Sequence, residues 1–120
     1  MARFWMVLGA LSGLIAVAMA AYASHGLPAE TAALANNGAS LQAWHALALF
    51  GCGLLAERRR GPMVHGAAAC FAIGTLAFCG GIYLRVLGDV SVGPVVPLGG
   101  VALLIGWGLL AAAAALAPDK

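Results

Sequence analysis

The side chains in this sequence that could do chemistry are few, and they fall beside the ends of long apolar runs. His25 follows the first run, Gln42 and His45 open the second, and Tyr83, Arg85 and Asp89 close the third. Gln42 and His45 are three residues apart, which makes them neighbours on a helix. Two imidazoles suit a metal, and groups that titrate near neutrality suit a proton relay. Metal is the weaker of these readings. A structural zinc takes four ligands, and only Asp89 or Glu30 could join the histidines. The competing reading is structural: polar groups at such depth turn inward, bond one another and tie the helices at one end. His65, beside Pro62 and Met63, lies at the other end and outside this cluster. Cys52, Cys70 and Cys79 lack a C-x-x-C pair or metal spacing, and are read as small apolar residues. No nucleophile elbow, phosphate loop, H-E-x-x-H or buried carboxylate pair is present, so no enzymatic activity, metal or cofactor is expected.

The elements that position these residues follow from composition. Apolar residues make up 63% of the 120, and charged residues 8%. Six basic and four acidic side chains could not coat a water-soluble globule of this size, and a net charge of +2 sets up no field for nucleic acid. An integral membrane protein remains. A membrane helix needs about 20 apolar residues, and the pattern predicts four, over about 4–23, 40–56, 63–87 and 95–117. They leave room for one membrane domain over 1–120 and no soluble one. The runs are continuous rather than alternating, which excludes a β-barrel. The fold class is thus all-α, a polytopic four-helix bundle. The first run also has a signal-peptide reading, with Arg3 ahead of it and Ala18-Met19-Ala20 at its end. Its length, and the small-residue spacing from Gly9 to Gly13, favour retention as a helix.

In the first connection, Pro28 and Glu30 suit a helix start and Asn36-Asn37-Gly38 a stop, which predicts a short interfacial helix over 28–36. The second connection carries Arg58, Arg59 and Arg60. With four spans, Arg3, these three arginines and Lys120 share one side, against Arg85 alone near the other, so both termini are expected in the cytoplasm. Between helices in lipid there is little hydrophobic drive, and small residues that permit close approach do the packing. Seventeen glycines serve this: Gly9 and Gly13 on the first helix, Gly66, Cys70, Gly74 and Gly81 in one stripe on the third, Gly99 and Gly106 on the fourth. Trp5, Tyr22, Trp44 and Tyr83 sit where interfacial aromatic anchors do, while Trp107 lies deeper and needs a partner for its indole N–H.

Ordered motifs along nearly the whole chain carry a family resemblance. Ala20-Ala21-Tyr22-Ala23-Ser24-His25-Gly26-Leu27 resembles the G-A-F-G-A-H-G-L stretch of the domain of unknown function 423 family, small bacterial membrane proteins with eukaryotic transmembrane relatives. Gln42-Ala43-Trp44-His45-Ala46-Leu47-Ala48-Leu49 is similar to its Y-Q-x-x-H-A-L-A-L, and Phe78-Cys79-Gly80-Gly81-Ile82-Tyr83-Leu84 to its F-S-G-S-x-Y-L. Pro97-Leu98-Gly99-Gly100 and Gly106-Trp107 resemble its T-P-x-G-G and G-W. The departures are small: Leu41 stands where Tyr is usual, which removes one hydroxyl from the polar cluster, and Cys79 and Gly81 stand for Ser. The resemblance implies a four-helix membrane protein and no settled activity.

Two functions fit the sequence. The first is a non-enzymatic scaffold or accessory subunit of the bacterial inner membrane, packing through its glycine faces against a second copy or a larger complex. The second is a small-molecule, ion or proton site around His25 and His45 at the non-cytoplasmic end.

Overall fold

The computed structural model describes residues 1–59 and 61–116. Four helices account for nearly all of it: α1 (Ala2–Gly26), α2 (Ala29–Arg58), α3 (Pro62–Gly88) and α4 (Val95–Ala115). Each is long and apolar enough to cross a membrane. The helices run antiparallel in chain order, α1 on α2, α2 on α3, α3 on α4, in a body of 52 × 26 × 19 Å. Arg60 and Lys120, two of the basic residues used for orientation, lie outside the described residues, as does the end of the run to residue 117.

The connections are shorter than the sequence pattern suggests. Leu27 is extended (φ −113°, ψ 147°), as the residue before a proline prefers, and α2 starts at once after Pro28. No separate interfacial helix exists. Residues 28–36 form the first turns of a continuous 30-residue α2. At about 1.5 Å per residue that helix is longer than the roughly 30 Å hydrocarbon layer. The Asn36-Asn37-Gly38 stop signal is overridden by packing. Ala35 and Ala39 are buried, and a Cβ at Gly38 would come within 3.1 Å of the Tyr83 ring and 3.2 Å of Ile82. Gly38 is there for close approach, not for a turn. After α3, Asp89 takes the left-handed conformation (φ 52°), and its N–H bonds the Arg85 carbonyl at 3.1 Å.

Glycine-mediated contact joins the helices in pairs. A Cβ at Gly9 would meet the Phe50 nitrogen of α2 at 2.8 Å, and one at Gly53 the Ala2 carbonyl of α1 at 2.8 Å. Between α3 and α4, Gly74 and Gly99 lie against each other's backbone, with a Cβ at Gly99 only 2.5 Å from the Phe78 nitrogen. Gly106 lies under the Phe71 ring and beside Cys70, and Gly81 under Val96. Gly13 and Gly66 have looser neighbours, Ala46 at 3.9 Å and Leu109 at 3.5 Å. The core proper is Trp5, Leu49, Cys52, Val64, Ala67, Ala68, Phe71 and Leu103, drawn from all four helices and lying toward the arginine-loop end. Arg59 reinforces that end by reaching the Ala113 carbonyl in the last turn of α4 at 3.5 Å, where a cation suits the exposed carbonyls.

Candidate functional site

The polar side chains do not form one cluster. They divide into two indole–imidazole ties and one chain that borders a groove.

Both ties join an indole to an imidazole across helices that are not neighbours in the packing order. Trp107 Nε1 of α4 donates to His45 Nε2 of α2 at 3.0 Å, and His45 Nδ1 lies 2.6 Å from the Leu41 carbonyl one turn back. Those partners define a neutral ring with its proton on Nδ1, donating to Leu41, and Nε2 accepting. The ring packs against Phe71 and Trp107, centroids 5.7 and 5.9 Å away. The second tie is Trp5 Nε1 of α1 donating to His65 Nδ1 of α3 at 2.9 Å. Trp5 is therefore buried in the core rather than an interfacial anchor, whereas Trp44 is widely exposed.

The chain runs from α3 through α2 to α1. Tyr83 O–H donates to Gln42 Oε1 at 2.5 Å, and Gln42 Nε2 donates to Ser12 Oγ at 3.3 Å. Gln42 is buried at 6% exposure, and its amide bridges helices that otherwise touch little. All three residues line a groove of about 540 Å³ between α1 and α3. Leu8, Leu11 and Ile15 form one wall, Ile73, Leu76 and Gly80 the other, and α2 the floor. The volume falls within the roughly 300–1,000 Å³ of small-molecule sites.

The shared histidine site expected from the sequence does not form. His25 is exposed at the last turn of α1, and no side-chain hydrogen bond joins it to His45, Gln42 or Tyr83 among the described residues. Arg85 and Asp89 are exposed at the end of α3, also outside the hydrogen-bonded chain. Gln42 and Tyr83 do meet. His45, although three residues from Gln42, turns to α4 instead. Among the described residues no three His, Cys, Asp or Glu side chains gather as a metal site. Cys52 and Cys79 are buried thiols, and Cys79 donates to the Gly38 carbonyl at 3.3 Å.

Sequence reasoning missed Ser12 as a polar partner, noting it only as a small residue within the Gly9–Gly13 spacing. Its signal was there to use: a hydroxyl near the middle of an otherwise apolar run. Thr75, also on the groove, offered the same signal, a hydroxyl midway along the third apolar run, whereas Gly80 carried none.

The architecture defines a small polytopic membrane protein of four helices, its polar groups held between them. Comparison with known proteins fixes the family. The family model described as "Protein of unknown function (DUF423)" matches residues 19–100, and the chain belongs to that family. It is 33% identical over 113 residues to the UPF0382 inner membrane protein YgdD of Escherichia coli, covering 90% of this chain and 86% of that one. It is 32% identical over 118 residues to the UPF0382 membrane protein YwdK of Bacillus subtilis, covering 93% and 96%. No solved structure matches the chain.

Proposed function

We propose that the protein is a non-enzymatic binding element of the bacterial inner membrane, taking a lipid-soluble small molecule into the groove between α1 and α3. The observation that supports this is the Tyr83–Gln42–Ser12 chain laid along the wall of that groove. A purely structural polar link in lipid is expected to close on protein groups, as His45 does, because hydrocarbon offers no partners. This one instead borders a mostly apolar slot that opens sideways to the bilayer, with the Thr75 hydroxyl also on its lining.

The scaffold reading rests on a different observation. The two indole–imidazole ties stiffen the bundle, and leucines such as Leu47, Leu76 and Leu104 stand more than 70% exposed around it. Its weakness is that Gly9, Gly53, Gly74, Gly81, Gly99 and Gly106, the faces a partner would use, are already occupied within the chain.

Gly80 supplies the test, since a Cβ added there meets nothing within 4 Å and the residue lines the groove wall. Mass spectrometry of protein extracted with its native lipids should show one lipid-soluble molecule retained per chain. Gly80→Phe should lose it with unchanged thermal stability. Equal retention by both, or retention of bulk phospholipid alone, would overturn the reading.

Orientation belongs to the same proposal. Both termini and the arginine loop face the cytoplasm, supported by Arg3, Arg58 and Arg59 at one end against Arg85 at the other. Cysteine labelling from outside should reach Ser91→Cys and not Gly61→Cys; the opposite pattern means an inverted protein.

A further inference from the structure

We infer that the molecule held in the groove is a neutral, carbonyl-bearing lipophile whose acceptor oxygen is bonded by the hydroxyl that ends the Tyr83–Gln42–Ser12 chain. This rests on the groove being the binding site, and it goes further by naming the ligand's chemistry.

The first step is hydrogen counting. A phenol and a serine each bring one O–H, and a primary amide brings two N–H. The two bonds of the chain use only part of this set. With Tyr83 donating to Gln42 and Gln42 to Ser12, the Ser12 O–H has no acceptor among the described residues. Turning the amide over reverses the chain and leaves the Tyr83 O–H instead. Both hydroxyls line the groove. Either way the wall offers a surplus donor, and Thr75, which also lines the groove, makes no side-chain hydrogen bond to the described residues.

A helical serine ordinarily turns its hydroxyl to the carbonyl four residues back. Ser24 does so, bonding Ala20 at 3.1 Å, but Ser12 is engaged with Gln42. Ser12 thus spends its oxygen on Gln42, while its O–H stays without an acceptor among the described residues.

Depth comes next. Along α1, Ser12 is about 12 Å from Phe4 and about 16 Å from Ala23, the ends of the apolar run. That places it near the middle of a hydrocarbon layer roughly 30 Å thick, where water is absent and the ester carbonyls of phospholipids do not reach. A molecule that satisfies the donor must carry its oxygen into the hydrocarbon on an apolar body. Leu8, Leu11, Ile15, Ile73 and Leu76 fit such a body. No basic side chain lines the groove, so a carboxylate or phosphate would be buried unpaired. A neutral acceptor remains, and a carbonyl provides it without adding a donor to a wall already rich in them.

The test uses a mid-length straight-chain ketone with a carbon-13 carbonyl, in nanodiscs of deuterated phosphatidylcholine, with an alkane of equal length as competitor. Wild-type protein should give a second carbonyl resonance, shifted downfield by hydrogen bonding and saturating at one ketone per chain. Gly80→Phe should abolish it. Of Ser12→Ala and Tyr83→Phe, at least one should return the bound resonance to the bulk position and weaken binding about three- to tenfold, the worth of one net hydrogen bond. If both variants keep the shifted resonance and the affinity, or if the alkane competes equally, the acceptor assignment is wrong while the groove reading stands. The same holds if the wild type retains its native molecule but never shifts the ketone. A bound resonance that survives Gly80→Phe places the site elsewhere and overturns both.

Discussion

Replacing His45 separates its packing from its hydrogen bond. The ring is 6% exposed, lies against Phe71 and Trp107, and accepts the Trp107 N–H at 3.0 Å. His45→Ala removes both contributions and leaves a cavity between α2, α3 and α4, at a cost of about 3 kcal/mol by the range for large buried rings. His45→Phe keeps the ring and deletes only the acceptor. In water-soluble cores an orphaned donor costs about 1–3 kcal/mol. Between helices in a bilayer, where the unfolded helices also find partners, measured couplings average about 0.6 and reach about 1.7 kcal/mol. The lower range applies, because Trp107 is 44% exposed and its N–H can reorient once released. A double-mutant cycle of His45→Phe with Trp107→Phe should therefore give a coupling of about 1 kcal/mol. The assay is reversible unfolding in mixed micelles with rising detergent denaturant, followed by circular dichroism so that loss of an indole does not alter the signal. Both single variants should still retain the groove ligand, because His45 faces α4 and not the groove. A coupling within about 0.3 kcal/mol of zero, or loss of ligand in His45→Phe at unchanged stability, would refute the assignment of His45 as a structural tie.

Three further outcomes follow from the same contacts. Gly99→Ala should destabilise by about 1–3 kcal/mol, because its Cβ would lie 2.5 Å from the backbone nitrogen of Phe78, which cannot yield; Gly108→Ala, with nothing within 4 Å, should be neutral or stabilising by up to about 1 kcal/mol in the same unfolding assay. Asp89→Gly should stabilise by roughly 1 kcal/mol, since a left-handed residue without a Cβ carries no steric penalty there, and a melting temperature that falls instead would show that the Asp89 side chain matters. Trp5→Phe and His65→Phe should each lower stability, with a coupling in the same range as at His45, and should leave ligand retention unchanged.

The four spans could be read in the sequence because continuous apolar runs of membrane length admit little else. The start of α2 could not. Asn36-Asn37-Gly38 is a stop by local preference, and only Tyr83 and Ile82, more than forty residues on, turn Gly38 into a contact surface that keeps the helix going. The polar cluster fails for a related reason. Position along a helix tells how deep a side chain sits, and by depth Gln42 and His45 belong together. Their directions differ by about 60° around the helix axis, enough for Gln42 to look into the α1–α3 groove and His45 toward α4. His25 shares their side of the membrane but sits at the exposed end of α1. Depth was legible; azimuth depended on which helices packed beside α2.

The same geometry explains why the groove stays open. α1 and α3 are drawn together at the arginine-loop end, where Trp5 bonds His65 and all four helices feed the core. Beyond it, no side-chain hydrogen bond joins them directly among the described residues. Instead the Gln42 side chain is interposed, with Tyr83 on one side and Ser12 on the other, so the amide sets the gap between the helices. The groove-side face of α3 presents a glycine without a neighbour: Gly74 and Gly81 are filled from α4, whereas Gly80 faces empty space. Closing the groove by direct packing would leave the Gln42 amide no room and bury its donors without acceptors, at about 1–3 kcal/mol for each. A bridging amide on the floor and an unfilled glycine on the wall thus act together, one preventing collapse and the other leaving space for an occupant.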